Sequence, residues 1–546
     1  MQAIYRSLRG GRHGARWVAV FFVVLTLVGV LTCADYGQNF DAVMEQRILK
    51  MNIHEYSYQI LGEEHPFTQY MAWKEHRRIS THFDREHGQS AFYLAAPLLK
   101  METYARDWFR PVWNAYTFLV FMAGVWAIYA FFKNLGASRM LSATASLLMY
   151  LTPRFFAEGH YNTKDLAVLS LMLVTVWQGL RFLKKPSLLR GLCFSFVGAM
   201  ATNTRVVGLL AWGVVGICAI IQRFAKRDWS LRMAGVAFAT IAGYVGFFLL
   251  LTPAAWPDIL GHLNYTLETS VKYGVWSANV LYRGALTNPS ITPFSWDYIP
   301  NLILLTLPLY MLPLAAIGQI ATVRELFRHK ARFFQDEKKL MLLVATFLWM
   351  CPLLYWLIVR PLVYNSWRHF YFLYAGIVLL AGYGIAYLSK LLSRKKMLKR
   401  AGIVALSLCL ATSALGIALN HPYQYGYYNL LAKRPLEDYY DLDFWEVSTV
   451  SAMRKLYDMR EELPYPLLIG GGEYLTTSSL KGEMILPYAM RLALDVQKTG
   501  EAPYMLYNTT YSVVYDAPYP PEGYHELFRI ESYGNTLCIM YEKDFE

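Results

Sequence analysis

The 546 residues are 55% hydrophobic, 16% aromatic and only 17% charged, a balance too apolar for a water-soluble enzyme of this length. The net charge of +13 is not a nucleic-acid footprint, because six short segments (1–17, 133–139, 181–190, 223–232, 323–339 and 390–400) hold 26 of the 52 Lys and Arg with four carboxylates, so they carry +22 and the remainder −9. Basic charge at every second turn is the positive-inside pattern of a multi-pass membrane protein.

Apolar runs near the ~20 residues that cross a bilayer predict eleven spans, at 17–33, 112–132, 139–152, 166–182, 189–203, 205–222, 233–251, 301–322, 340–359, 370–389 and 401–419. With the basic segments inside, the N-terminus is cytoplasmic and residue 421 onward extracytoplasmic. The first run follows Arg6, Arg9, Arg12 and Arg16 and lacks a small-residue cleavage site, so a retained signal-anchor is expected.

The loop 34–111 is the largest on the outer side. Val43, Met44, Ile48 and Met51 recur at helical spacing and 91–99 is a short apolar stretch, which predicts two helices lying along the membrane surface. Its notable groups are the carboxylates Asp35, Asp41, Glu45, Asp84 and Glu86, with His87 beside the last. Displacement at a sugar carbon needs a carboxylate to accept or orient the acceptor's proton, and Asp41 stands just past the first span. Asp41, Asp84, His87 and Asp165 offer ligands for a divalent metal ion, although their spacing does not require one.

The turn 153–165 packs Arg154, Glu158, His160, Asn162, Lys164 and Asp165 between two apolar runs. Arg154 and Lys164 suit a phosphate, and Asp165 suits either a substrate contact or a helix N-terminus. Arg205 follows at a helix junction. Arg368, followed by His369, stands where a planar guanidinium meets either a lipid phosphate or the bilayer edge. A loop of about 50 residues, 252–300, completes the outer side.

After residue 420 the chain turns polar and Tyr-rich. Val450, Met453 and Tyr457 mark an amphipathic helix, and 467–469, 512–515 and 537–541 read as strands of a small α/β domain over 421–546. The six cysteines form no disulfide or zinc spacing, and Asn508-Thr-Thr is an isolated sequon.

Taken together, the acidic stretch Asp35 to Glu45, Pro153-Arg154-Phe-Phe with Tyr161-Asn162-Thr-Lys164-Asp165, Asn203-Thr-Arg205, Trp367-Arg368-His369 and His421-Pro-Tyr-Gln-Tyr-Gly-Tyr-Tyr-Asn429 resemble the GT-C membrane glycosyltransferases. Among these they look like the glycosyltransferase family 39 group, which includes protein O-mannosyltransferases and the aminoarabinose transferase of lipid A. The resemblance implies a GT-C transmembrane domain over 1–420 and inverting transfer of a sugar from a polyprenyl-phosphate donor to a lipid, glycan or protein on the outer face of a bacterial inner membrane. Asp41 would be the base, with Glu45 beside it. Arg154, Lys164, Arg205, Arg368 and His369 would hold the donor phosphate, and Asp84, His87, Asn162 and Asp165 the substrate. Ala42 departs from the family pattern, which often has Glu at that place, so the base is open between Asp41 and Glu45. No nucleotide is needed, and no Gly-rich nucleotide loop is present. The competing classes are a lipid-linked oligosaccharide ligase or polymerase and a flippase, which would carry cations through mid-span.

Overall fold

The computed structural model of the chain describes residues 11–37, 41–74, 77–228, 230–271, 277–470, 486–497, 502–510 and 522–544. Its helices, in order, are α1 (Gly11–Thr32), α2 (Ala42–Leu61), α3 (Pro66–Trp73), α4 (Met101–Tyr104), α5 (Arg106–Asn134), α6 (Arg139–Tyr150), α7 (Pro153–Tyr161), α8 (Asp165–Lys184), α9 (Leu188–Thr204), α10 (Leu209–Lys226), α11 (Leu231–Leu251) and α12 (Ile259–Val271). After the hairpin β1 (Val280–Tyr282) and β2 (Ala285–Thr287) come α13 (Tyr298–Thr306), α14 (Met311–His329), α15 (Glu337–Val359), α16 (Tyr374–Leu391) and α17 (Lys396–Leu419). The C-terminal part holds α18 (Val447–Asp458), β3 (Leu468–Gly470), α19 (Tyr488–Ala493), β4 (Asp495–Val496), β5 (Tyr504–Asn508), β6 (Tyr524–Ser532) and β7 (Asn535–Lys543).

Every expected span coincides with a helix, but among the described residues only eight helices are long and apolar enough to cross a membrane, or nine if α13 and α14 count as one. The expected eleven is not reached because α6 has 12 residues and α9 has 17, lengths of about 18 and 26 Å against a hydrocarbon core of about 30 Å. The expected span 301–322 is bent by 113° between α13 and α14. Pro308 in that break has no N–H to donate and disfavours helical backbone in the residue before it.

Four helices start where a basic segment ends, each with a side-chain oxygen on an orphan N–H. Ser138 accepts from Leu141 N (3.2 Å), Ser187 from Arg190 N (3.4 Å), Ser230 from Met233 N (3.2 Å) and Asp336 from Lys338 N (2.9 Å). The helices α5, α8 and α16 are central, whereas α1, α11 and α17 expose most of their surface outward. Between α14 and α16 the backbones touch: a Cβ on Gly318 would lie 2.0 Å from Leu380 O, and one on Gly384 2.1 Å from Leu314 O. Only glycine permits that approach, the usual device of helix pairs in a membrane.

The first loop differs from expectation. The expected apolar stripe of α2 turns inward over most of its length: Ile48 and Met51 are fully buried with Ile79 and Ala254, Met44 is partly buried against them, and Val43 alone of the four is exposed. The stretch 91–99 is a 3₁₀ helix (Ser90–Lys100) that buries Phe92 and Ala95 but leaves Leu94 exposed. The turn 153–165 is in large part the fully buried helix α7.

The C-terminal part forms a five-stranded sheet in the order β4-β3-β5-β7-β6, parallel at β3–β4 and β3–β5 and antiparallel at the other two pairings. It has its own core, in which Val450, Met453 and Leu456 of α18 pack on Ile469, Leu506 and Met540. The expected strand 512–515 lies outside the described residues, while β4, β5 and β6 have no counterpart among the expected strands. Tyr425, Tyr428, Leu442, Phe444 and Trp445 pack with the helical body instead of with the sheet. Asn508 of the sequon is buried and its amide donates to Asp443 Oδ2 (3.3 Å).

Candidate functional site

The loops remote from the basic segments are tied to one another, and the polar residues of the sequence meet there. Asn203 donates to Thr252 Oγ1 (2.9 Å) and accepts from Ser90 N (3.0 Å), which joins the first loop to the ends of α9 and α11. Asn162 forms the break between α7 and α8: its Oδ1 accepts from the backbone N–H of Lys164 (3.2 Å) and Asp165 (2.7 Å), an Asx turn. The Asp165 carboxylate is thereby free of any capping duty. It turns sideways to Arg205 Nη2 (3.0 Å) and Arg368 Nη1 (3.7 Å).

Arg368 Nη1 also donates to Asp41 Oδ2 at 3.2 Å. Arg368 is only 2% exposed, and the rings of Tyr364, Phe444 and Trp445 stand 4.7 to 5.0 Å from its guanidinium, at distances suited to cation–π attraction. It is therefore not an anchor at the bilayer edge. Asp41 keeps 30% of its side chain exposed and so stays open to a second reactant. Burial alone would raise its pKa, but Arg368, Lys164 and Arg205 outweigh that and hold the carboxyl below the usual carboxylate range. Glu45 is one turn further along α2, fully buried and 3.8 Å from Lys164 Nζ. Burial pushes Glu45 up to about 8, since Lys164 offsets it only in part and Asp41 and Asp165 repel a second negative charge.

Next to this network lies a cavity of about 520 Å³. One end is polar, with Lys164, Arg205, His369, Glu86 and His87 on its wall. The rest is apolar, built from Val206, Val207 and Leu210 at the start of α10, Cys351, Pro352 and Tyr355 of α15, and Leu362, Val363, Phe370 and Phe372. Thr266 and Thr269 of α12, with Pro361 and Tyr364, complete the lining. Ligand atoms of Asp84, Glu86 and His87 lie within 4.8 Å of one another. Glu86 Oε2 is buried with no hydrogen-bond partner among the described residues, so this trio fits a divalent ion better than the wider set Asp41, Asp84, His87 and Asp165. Burial raises Asp84 and pushes Glu86 up to about 7, and it drives His87 well below the ordinary imidazole value.

Arg154 stands apart from the cavity. It donates to Ser366 Oγ (2.7 Å) and lies over the rings of Tyr425 and Tyr428. Glu158, one turn along α7, accepts from Tyr371 OH (2.5 Å) and Asn162 Nδ2 (2.6 Å). Burial pushes Glu158 up to about 7. Tyr371, Phe444 and Trp445 escape a reading of the sequence because aromatics near spans read first as interfacial anchors. No protein-family model matches this chain, and no curated protein matches it either.

Proposed function

We propose that this chain is a multi-pass membrane glycosyltransferase of the GT-C type, similar to family 39, that takes a sugar from a polyprenyl-phosphate carrier at the outer face of a bacterial inner membrane. The carrying observation is one cavity whose wall holds Lys164, Arg205 and His369 together with a run of apolar side chains, beside the Arg368-paired carboxylate of Asp41, which is 30% exposed. A polyprenyl-phosphate sugar has that same division between charged head and apolar chain.

In this reading Lys164 and Arg205 hold the phosphate, and His369 borders it. Arg368 orients Asp41 by its 3.2 Å contact and does not itself line the cavity. Asp41 accepts the proton of the acceptor hydroxyl as that oxygen bonds to the anomeric carbon. The bond from that carbon to the phosphate oxygen breaks, its electron pair leaves with the phosphate, and the configuration inverts. The protein supplies positioning and a fixed cationic field for the departing charge. Asp84, Glu86 and His87 would hold a divalent ion, which would supply further neutralisation of phosphate charge when bound. The N-terminus is cytoplasmic, and the C-terminal sheet lies outside.

Mass spectrometry of lipid-linked sugars and surface glycans in a deletion strain tests the reading. The expected result is accumulation of one polyprenyl-phosphate sugar and loss of the matching sugar from an envelope component. Unchanged profiles of both would overturn it.

A further inference from the structure

A second group of polar side chains meets at the end of α5 remote from the basic segments, and none of them lines the cavity. Arg110 is only 8% exposed, and its Nη1 donates to Gln46 Oε1 (2.8 Å). Among the described residues no carboxylate stands within 4.0 Å of this guanidinium. A neutral amide oxygen does not offset the cost of taking a cation out of water. Gln46 spends its acceptor on Arg110, and its Nε2 is buried with no partner among the described residues, as is Trp113 Nε1 one turn along α5. Arg110, Gln46 and Trp113 are all buried, so the group is rich in donors and lacks an acceptor.

The surrounding charge is positive in sum. Lys50 stands one turn beyond Gln46 on α2, and Arg106 one turn before Arg110 on α5, on the helix faces that carry the bonded pair. Glu102 of α4 pairs with Lys50 at 2.8 Å, and Asp107 Oδ1 accepts from Tyr488 N (3.0 Å). Lys50, Arg106 and Arg110 against Glu102 leave an excess of two positive charges. A guanidinium with spare N–H groups, an amide donor without an acceptor and that excess of charge suit an oxyanion, and phosphate oxygens match the guanidinium fork.

Depth identifies the source of the phosphate. The 29 residues of α5 make a helix of about 43 Å, against about 30 Å of hydrocarbon. Its apolar run begins at 112, so the turns with Arg106 and Arg110 project to the level of lipid headgroups. Leu94, Tyr104 and Trp108 are exposed near them, and aromatic side chains of this kind collect at the membrane–water boundary. From these features we infer that Gln46, Lys50, Arg106 and Arg110 bind the phosphate of an anionic phospholipid, at a site separate from the cavity and independent of the proposed sugar donor. A lipid held there ties α2 to α5 and so fixes the helix at whose start Asp41 and Glu45 stand.

Native mass spectrometry and thermal unfolding of the full chain in neutral detergent test it, with phosphatidylglycerol, phosphatidylcholine of the same chains or sodium phosphate added. Phosphatidylglycerol should be retained as one tightly held copy, several-fold over phosphatidylcholine, and should raise the melting temperature. Gln46→Glu sets a carboxylate against Arg110 in the same volume and supplies the missing acceptor from within. Retention should then fall several-fold and the lipid-dependent rise in melting temperature should vanish, as also in Arg110→Gln. Lys164→Ala, in the cavity, should leave both readings unchanged. Equal retention of the two lipids, or undiminished retention of phosphatidylglycerol by Gln46→Glu, would overturn the site. Loss of retention in Lys164→Ala would put the lipid phosphate in the cavity and overturn it likewise. A rise in melting temperature produced equally by sodium phosphate would overturn the lipid as the source of the anion. No outcome depends on a sugar donor, so failure here leaves the glycosyltransferase reading to its own test.

Discussion

Asp41 and Glu45 are one turn apart and have opposite electrostatics, which separates their roles experimentally. Asp41 is ionised, paired with Arg368 and partly open, so Asp41→Asn keeps its volume while removing the proton acceptor. Turnover of a polyprenyl-phosphate sugar should fall by about 10² to 10⁴, with size-exclusion behaviour unchanged. Normal turnover in Asp41→Asn and its loss in Glu45→Gln would move the base to Glu45. Glu45 itself makes a prediction about pH. Its carboxyl titrates at about 8 when folded against 4.5 as the ordinary value, so its contribution is most favourable below about pH 4.5 and is lost as pH rises toward 8. Glu45→Gln has no such dependence. The melting temperature of Glu45→Gln relative to the unmodified protein should therefore climb between pH 5 and pH 8, as differential scanning fluorimetry in detergent would measure; a constant difference would mean that Glu45 is ionised throughout.

At the scale of elements, α7 joins the two cation-bearing segments. Glu158 accepts from Asn162, which sets the turn carrying Lys164 and Asp165, and from Tyr371, one turn beyond Arg368 in the 3₁₀ stretch Arg368–Leu373. Removing this buried acceptor strands the Tyr371 hydroxyl and leaves Asn162 Nδ2 with only its 3.3 Å contact to Asp165 Oδ2, so Glu158→Ala should cost at least about 1 to 3 kcal/mol, the penalty for one stranded donor. Thermal and urea unfolding would measure it. Paired with Tyr371→Phe, the effects should be non-additive by more than about 0.5 kcal/mol, and additivity would show that the two segments are held separately. This junction was half legible in the sequence. Polar residues between two apolar runs are conspicuous, which brought Arg154, Asn162, Lys164 and Asp165 forward. Nothing local distinguishes Arg154, which meets Tyr425 and Tyr428, from Lys164, which faces the cavity, because the difference is made by partners more than 200 residues away. The same limit applies to α6 and α9, whose apolar runs are visible while their lengths depend on where neighbouring turns are pinned.

For the whole molecule, the segment 421–446 binds the polar end of the helical body to the sheet. Phe444 and Trp445 flank Arg368, and Asn429 Nδ2 donates to the carbonyls of Leu304 (2.6 Å) and Leu307 (2.9 Å) at the α13–α14 break. Site and sheet must therefore share one side of the membrane, and orientation becomes a test of the function as well as of the fold. The four capped helix starts after basic segments and the polar network at the opposite helix ends give the body two chemically distinct faces. In the proposed orientation the basic face lies in the cytoplasm, as the positive-inside rule expects, and the network, the cavity and residue 421 onward lie outside. The short helices α6 and α9 do not alter this parity as long as each still carries the chain from one face to the other, as their ends indicate: Ser138 and Ser187 begin them at the basic face, and Thr152 and Arg205 follow them at the polar one. An alkaline phosphatase fusion after residue 421 should be active and a cytoplasmic reporter at the same place silent, with the reverse after residue 229 or 395. The opposite result at 421 would put Lys164, Arg205 and Asp41 on the cytoplasmic side, where a nucleotide-sugar donor is also available, and the outer-face carrier mechanism would have to be abandoned.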